Sequence, residues 1–423
     1  RDMRGVPFVT IDPVGSRDLD QAVYIERSAT GYRVLYAIAD VAAFIVPGSA
    51  LEAESLRRGQ TIYLPDEPAR LHPEELSEGS ASLLPDVDRP AVVWTFDLDL
   101  AGEVEEFHVE RALVRSHARL DYDEVHGDYL RGEMHPSVTL LPEVGQLREV
   151  SALRRRAINL RLPSQRVKSL DDGTYELIVE PRHEVMDWNS EISLLTGMCA
   201  GQLMVHHGQG LLRILRPATP ESEAQFRSEV RALGYELPDD RPIGEFLQFI
   251  DADTPRGMAV MREAQKLLRG SGYARVEAGD AEVHAGIGGY YAHVTAPLRR
   301  LVDRFATEYC LALCAGREVP EWVAGRADEV IAVMQRTSAL ASSVDRASLD
   351  LTEATVLAPW VGHNFDAVIL SSDRERDQAR IFVAEPPVLA NALGHPEQGT
   401  TTKVSLIRAD RQTRDVAFAW PAD

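Results

Sequence analysis

Three aspartates stand close together near the start of the chain, in the segment VTIDPVGSRDLDQ. Asp12 ends an extended run, and the Pro and Gly that follow it favour a turn. Asp18 and Asp20 come next, and alternate side chains of an extended chain face the same way. Two carboxylates about 7 Å apart repel by roughly 2 kcal/mol at an effective dielectric near 20, so a bound cation would stabilise the group.

Carboxylate oxygens on a strand and its turn suit Mg²⁺ or Mn²⁺ better than zinc. A metal ion held by Asp12, Asp18 and Asp20 would activate a bound water and stabilise charge on a phosphoryl group. The three aspartates therefore predict metal-assisted phosphoryl chemistry. On spacing alone the commoner case is a solvated acidic turn, in which Asp18 pairs with Arg17.

A second segment with chemical potential is YAHVTAPLRRLVDRF. Thr295 is a good helix cap and Pro297 suits a first turn, so we predict that a helix begins here. Arg299 and Arg300 would then lie at the positive end of the helix dipole, where an incoming phosphate is favoured. The alternative interpretation is an ion pair from Arg299 to Asp303 along one face of the helix.

Further basic residues gather in the middle of the chain, namely Arg154, Arg155, Arg156, Arg161, Arg166 and Lys168. A basic groove of this kind could guide a nucleic-acid strand. The commoner interpretation is a solvated helix end.

The elements that must position these residues change in type along the chain. Short alternating runs predict a sheet in the first hundred residues, and helical spacing follows from Glu191. After Pro359 the sequence returns to short β runs, which are typical of an OB-type barrel. The predicted fold class is α+β, with a large mixed sheet-and-helix catalytic domain at residues 1–352 and a small all-β OB-type barrel at residues 353–423.

Composition limits the classes of function. The 423 residues are 44% hydrophobic and 26% charged, as in ordinary globular proteins. No run approaches the ~20 apolar residues of a membrane helix, and the three cysteines lack CxxC spacing, so we expect no membrane segment and a cytoplasmic setting. The net charge of -21 argues against a generic nucleic-acid binder, although a locally basic channel stays compatible with it. Because the chain begins with Arg1 rather than Met, we expect that upstream sequence was removed.

Six segments occur in the order seen in the ribonuclease II and ribonuclease R family: VTIDPVGSRDLDQAVY, YAIADVAAFIVPGS, TIYLP, ELSEGSASLLP, HARLDY and YAHVTAPLRRLVD. Residues 1 to 310 thus resemble the family's catalytic domain, and the tail resembles its terminal OB-type RNA-binding barrel. The resemblance implies a processive, hydrolytic 3′–5′ exoribonuclease. It would bind single-stranded RNA with a free 3′ end, act as a monomer, and release nucleoside 5′-monophosphates with Mg²⁺, or with Mn²⁺ as a substitute.

The resemblance also implies roles for individual residues at the reaction centre. Asp12, Asp18 and Asp20 match the family's metal-binding aspartates, and Asp20 is in addition a catalytic residue. Arg299 matches the catalytic arginine near the scissile phosphate. Gln21 stands where the family has a fourth aspartate, and we include it among the predicted metal ligands because an amide oxygen can still coordinate, although more weakly.

The remaining transfers concern RNA binding. Tyr63 matches an aromatic residue that stacks on a base near the 3′ end, and Arg300 matches the basic neighbour of the catalytic arginine. Tyr122 and Glu191 align with residues that contact ribose hydroxyls and so favour RNA over DNA.

Three hypotheses follow from the sequence. The first is an active exoribonuclease. The second is a catalytically weakened RNA-binding or scaffold protein that retains the RNA channel, because Gln21, Ala296 and Leu301 depart from the family pattern and Glu191 is the one acidic residue kept of a usual pair. The third, an acidic metal-dependent phosphatase for small molecules, requires that the resemblance be discounted, and the predicted C-terminal barrel argues against it.

Overall fold

The computed structural model describes residues 1–64, 67–151, 157–158, 160, 164–169, 175–180, 182–277 and 281–421, with the backbone alone for 164–169 and 175–180. Packing divides the chain into two compact units. Unit 1 consists of Arg1–Arg155, His183–Arg216 and Ser271–Ala341. Unit 2 consists of Arg156–Arg182, Pro217–Gly270 and Ser342–Asp423. The boundary expected between residues 352 and 353 stays a prediction.

The strands of the described chain form two closed barrels and two two-stranded sheets. In chain order they are β1 (Phe8–Asp12), β2 (Gln21–Arg27), β3 (Gly31–Ala39), β4 (Asp88–Asp99), β5 (Val104–Asp121), β6 (Ser164–Ser169), β7 (Tyr175–Glu180), β8 (Leu211–Ile214), β9 (Gly272–Arg275), β10 (Asn364–Asp373), β11 (Gln378–Val383), β12 (Val388–Leu393), β13 (Thr401–Asp410) and β14 (Asp415–Ala419).

Ten α-helices of the described residues lie between these strands. In chain order they are α1 (Ala50–Arg58), α2 (Tyr122–Arg131), α3 (Leu141–Glu149), α4 (Glu184–His207), α5 (Pro220–Ala232), α6 (Ile243–Gln248), α7 (Pro255–Ala264), α8 (Leu301–Cys314), α9 (Glu321–Ala324) and α10 (Ala327–Leu357). No helix in the described part of the chain combines the length and the apolar character needed to cross a membrane.

The first five strands close the barrel of unit 1, in which β1 pairs in parallel with β5 and the other neighbours are antiparallel. Strand β3 is buried on both faces, which explains its almost continuous apolar sequence. Val34, Tyr36 and Ile38 enter one core, whereas Ala37 and Ala39 enter another. This alternation fixes the register of the barrel, because a slip by one residue would exchange the two faces.

Unit 2 contains the predicted C-terminal barrel, formed by β10 to β14. Ile369 of β10 faces the barrel interior, while Val368 and Leu370 face a core shared with α5, α6 and α7. Glu263 of α7 is buried and accepts hydrogen bonds from Arg380 of β11 at 3.1 and 3.0 Å. The barrel was predicted from the sequence, but its packing against these helices was not.

A buried ion pair joins α1 to α8 in unit 1. Arg304 Nη1 donates to Glu52 Oε1 at 2.9 Å, and Arg304 Nη2 donates to the Ile45 carbonyl at 3.0 Å. The other carboxylate oxygen of Glu52 accepts from the Gly48 N–H at 2.7 Å. Since both charged side chains are almost fully enclosed, their interaction is poorly screened by solvent.

We expect Glu52→Ala to lower the free energy of unfolding by about 3 to 5 kcal/mol, because Arg304 would keep a buried charge without its partner. The matched control is Glu54→Ala on the same helix, where the partners Arg57 and Arg58 are exposed and solvent screening makes the expected loss much smaller. Urea denaturation measures both changes. Equal losses for the two variants would contradict the importance of the buried pair.

Candidate active site

The aspartate segment has the predicted strand and turn geometry. Strand β1 ends at Asp12 and β2 begins at Gln21. Between them the Ser16 N–H donates to the Pro13 carbonyl at 3.1 Å, and Gly15 has a φ of 85°, a conformation that favours glycine.

The segment ELSEGSASLLP holds this loop in place. The Leu19 N–H donates to Ser82 Oγ at 3.0 Å, and the Ser82 hydroxyl donates to the Arg17 carbonyl at 2.6 Å. The Leu83 N–H donates to the Leu19 carbonyl at 3.0 Å. Leu19 is fully buried, so the backbone on either side of it is anchored to the core. These contacts fix the positions from which Asp18 and Asp20 project.

The aspartates lie in an environment that opposes their negative charge. Asp20 is 4% exposed, and burial raises its pKa to about 8, although Arg299 and the Leu298 N–H act in the opposite direction. Burial and the nearby charge of Asp18 raise the pKa of Asp12 to about 7. A cation would remove this cost, because it favours the charged carboxylates.

No three His, Cys, Asp or Glu side chains in the described residues are arranged closely enough to form a ready metal cage. Mg²⁺ does not require one, since it is usually held by one or two carboxylates together with water and substrate phosphates. Asp12, Asp18 and Asp20 supply hard oxygen donors, and the raised pKa values of Asp12 and Asp20 mean that an added cation would stabilise their charged forms, so this donor set fits such an ion.

The arginine segment differs from the sequence prediction at its start. Thr295 does not cap a helix: residues 297–299 form a turn, and α8 begins at Leu301. The turn is closed by the Arg299 and Arg300 N–H groups, which donate to the Ala296 carbonyl at 3.2 and 2.9 Å. The capping prediction was wrong because Thr295 precedes a separate turn, and the helix begins only after that turn.

We call residues 295–300 the arginine turn. Acidic and amide side chains bind its backbone groups. Asp303 Oδ1 accepts from the Ala296 N–H at 2.6 Å, and Asp20 Oδ1 accepts from the Leu298 N–H at 2.8 Å. Gln21 Nε2 donates to the Thr295 carbonyl at 2.5 Å. The arginine turn is therefore fastened directly to the aspartate segment.

Two further contacts come from the region between β3 and β4. The Thr61 N–H donates to the Arg299 carbonyl at 2.9 Å. His72 Nε2 lies 3.2 Å from the Pro297 carbonyl, which can only accept, so this nitrogen carries the proton. Burial lowers the pKa of His72 to about 4, which keeps the ring neutral.

The two arginines have different surroundings. Arg299 Nε lies 3.5 Å from Asp20 Oδ2, and the Arg299 side chain is 42% exposed. Arg300 binds Asp303 through both Nε and Nη2 at 2.9 Å. The alternative of an Arg299 to Asp303 pair was wrong, since Arg300 takes that partner. Arg299 thus lies beside Asp20 with part of its side chain exposed.

The remaining predicted RNA-binding residues of unit 1 come from different elements. Tyr63 is 51% exposed, and its hydroxyl donates to Asp18 Oδ2 over a long 3.4 Å. Tyr122 begins α2, and its hydroxyl accepts from Asn189 Nδ2 of α4 at 3.1 Å. Glu191, also in α4, is 1% exposed. Tyr63 thus contacts the aspartate segment, whereas the ribose contacts of Tyr122 and Glu191 stay predictions.

Tyr36 lies near the predicted site residues Asp12, Asp20 and Tyr122, but the sequence analysis did not include it among the candidates. It is fully buried in β3, and its hydroxyl lies 2.7 Å from Ser193 Oγ of α4. Burial raises its pKa, with smaller contributions from the nearby Tyr122, Asp12 and Asp20. Its position within YAIAD, one of the six ordered segments, was the available signal.

The predicted basic cluster in the middle of the chain receives no structural account. Arg154, Arg155, Arg156 and Arg161 lie outside the described residues, as do the side chains of Arg166 and Lys168.

Comparison with known proteins identifies the family. The model of the RNB domain matches residues 1–311. The chain belongs to the RNB-domain family. The model of the RNase II-type exonuclease C-terminal S1 domain matches residues 363–420, which contain the second barrel. The family resemblance and the α+β fold class predicted from the sequence are therefore confirmed.

The relatives extend beyond the region that this chain matches. Ribonuclease R of Escherichia coli (strain K12) is 29% identical over 397 residues, which cover 88% of this chain and 48% of the relative. The chain thus spans about half the length of this curated relative.

Solved structures of low sequence identity share the fold. Mycoplasma genitalium RNase R in complex with ribose methylated single-stranded RNA matches with a TM-score of 0.85 at 17% identity, over 99% of this chain and 71% of that chain. Yeast Ssd1, a pseudonuclease, matches with a TM-score of 0.67 at 14% identity, over 92% of this chain and 49% of that chain. The fold is thus shared by proteins of different activity.

We expect His72 to make the protein sensitive to acid. Its pKa in the folded state, about 4, lies below the unfolded value near 6.5, so below pH 6.5 the unfolded state binds more protons and stability falls down to about pH 4. This loss amounts to about 3 kcal/mol. Urea denaturation at pH 7 and pH 4.5 should show a smaller pH effect in His72→Gln than in the wild type. The exposed control His206→Gln should retain the wild-type effect, and the same pH effect in both variants would contradict the assignment.

Proposed function

We propose that this chain is a metal-dependent, processive 3′–5′ exoribonuclease that hydrolyses single-stranded RNA to nucleoside 5′-monophosphates. The observation that carries the proposal is the contact of the two segments: Asp20 accepts from the Leu298 N–H at 2.8 Å and lies 3.5 Å from Arg299. A buried carboxylate and a partly exposed arginine are thereby held together at one place.

The proposed cofactor is Mg²⁺, with Mn²⁺ as a substitute. Asp12, Asp18 and Asp20 would hold it, and the burial of Asp12 and Asp20 together with the nearby charge of Asp18 favours an added cation. When bound, the ion supplies an activated water and stabilises charge on the phosphoryl oxygens. Sequence predicts that Gln21 also coordinates through its oxygen.

The side chains of this chain would divide the remaining work. Arg299 would bind a non-bridging oxygen of the scissile phosphate and stabilise the charge that develops there. Tyr63 would stack on a base, which gives affinity without sequence preference. Its contact with Asp18 would set the distance between the stacked base and the carboxylates.

RNA is the proposed partner, and the family membership and the RNA complex of the Mycoplasma genitalium relative support it. The C-terminal barrel would add a platform for the strand. We further propose that the protein acts as a monomer in the cytoplasm, in keeping with three cysteines without paired spacing.

The test uses RNA labelled at its 5′ end, with a single-stranded 3′ tail, in Mg²⁺ and separately in Mn²⁺. We expect progressive shortening from the 3′ end and release of nucleoside 5′-monophosphates. A circular RNA of the same sequence has no 3′ end and should persist. Persistence of the linear RNA with both metals would overturn the proposal, and binding without digestion would favour the RNA-binding scaffold instead.

Asp20→Asn should reduce cleavage at least about 100-fold, because the amide keeps an acceptor for the Leu298 N–H but loses the charge that serves metal and phosphate chemistry. RNA affinity should change less than threefold, as measured by fluorescence anisotropy. Asp97→Asn, on the surface of β4, is the control and should cleave normally. Retention of more than a tenth of the wild-type rate in Asp20→Asn would rule out its catalytic role.

Tyr63→Ala should weaken RNA binding by about 1 to 3 kcal/mol, which is the value of stacking one base. Tyr63→Phe keeps the ring and removes only the hydroxyl contact to Asp18, so its affinity should stay close to that of the wild type. Equilibrium binding of a 3′-labelled strand in the Asp20→Asn background separates affinity from cleavage. Equal weakening in both variants would assign the effect to the hydroxyl and not to stacking.

A further inference from the structure

Gln21 is held rigidly at the start of β2. Its backbone pairs with Ile38 of β3, and the carbonyl of the preceding Asp20 accepts from the Ala39 N–H at 2.9 Å. From this fixed base its side chain reaches the arginine turn, where Nε2 lies 2.5 Å from the Thr295 carbonyl.

The chemistry of this contact requires an amide. A backbone carbonyl can only accept, so the group facing it must donate, and the NH₂ group of Gln21 does so. A carboxylate at the same place would set two acceptors against each other. An aspartate would in addition be one methylene shorter than Gln21 and would withdraw from the Thr295 carbonyl.

We call the hydrogen bond from Gln21 Nε2 to the Thr295 carbonyl the tether, and it lies where the arginine turn begins. Farther along, the Ala296 N–H is held by Asp303, and the Leu298 N–H is held by Asp20. Gln21 adds an anchor at Thr295, and it is the residue next to Asp20. The sequence neighbours Asp20 and Gln21 thus bind this turn at Leu298 and at Thr295, and the same turn presents Arg299 to Asp20.

We propose that Gln21 is a positioning residue, which sets the arginine turn and hence Arg299, and that it is not a weakened metal ligand. Gln21 stands where the family resemblance implies a fourth aspartate, and in this chain that residue forms the tether to Thr295. Its kinetic consequences rest on the proposed exoribonuclease function, whereas its effect on the mobility of the turn does not.

If Gln21 were a weakened metal ligand, Gln21→Asp would raise activity, whereas a positioning role predicts the opposite. Gln21→Asp should lower kcat at least tenfold, because it cannot donate to Thr295 and adds negative charge beside the buried Asp20. Gln21→Met and Gln21→Glu, which match the length without donating, should lower kcat similarly. KM should change less than twofold, since a misplaced Arg299 removes stabilisation mainly from the transition state.

The experiment compares these variants with the exposed control Gln202→Met on α4. It measures kcat and KM on 3′-tailed RNA, the Mg²⁺ concentration that gives half-maximal rate, and hydrogen exchange of peptides spanning residues 292–301 without metal. We expect at least threefold faster exchange in these peptides for all three Gln21 variants and wild-type exchange in the control. The half-maximal Mg²⁺ concentration of Gln21→Met should stay within twofold of the wild type.

Opposite results would overturn the proposal. If Gln21→Asp raises kcat or lowers the half-maximal Mg²⁺ concentration while exchange of 292–301 is unchanged, Gln21 is a weakened metal ligand. If the wild type does not cleave RNA at all, the proposed function fails, and hydrogen exchange alone decides on the tether. In that case, faster exchange in Gln21→Met supports it, and unchanged exchange overturns it.

Discussion

The arrangement of unit 1 depends on the attachment of the arginine turn to the aspartate segment, which lies far from it in sequence. The hydrogen bond from the Leu298 N–H to Asp20 is buried, so losing it would leave polar groups without water to replace it. Gln21 and Asp303 hold the same turn at other backbone groups. Each bond is modest alone, but together they fix the turn in a single arrangement.

Several elements of unit 1 support this attachment. The barrel of unit 1 places the ends of β1 and β2 side by side, and Ser82 anchors the loop between them. Helix α8 carries Asp303, and the buried pair of Arg304 with Glu52 holds that helix against α1. A neutral His72 completes the support, because a charged ring would be costly at this depth.

Burial of Asp20 has a cost that the fold itself does not remove. Arg299 lies at 3.5 Å and stays partly exposed, so it compensates the carboxylate only in part. Sites of catalysis often keep such uncompensated charge, because it is relieved when ligand binds. The pseudonuclease among the structural relatives shows that the fold alone does not determine activity. The proposal of nuclease activity therefore depends on these particular side chains.

The sequence by itself determined the family and the fold class and predicted the aspartate site, since strand periodicity and motif order are local properties of the chain. It could not determine that the turn at Thr295 precedes the helix, because the backbone partners of that turn are distant residues. Nor could it assign Gln21, whose amide resembles a lost ligand until its contact with Thr295 is known. Tertiary structure decided these points, because hydrogen bonds between residues far apart in sequence leave no periodic signal.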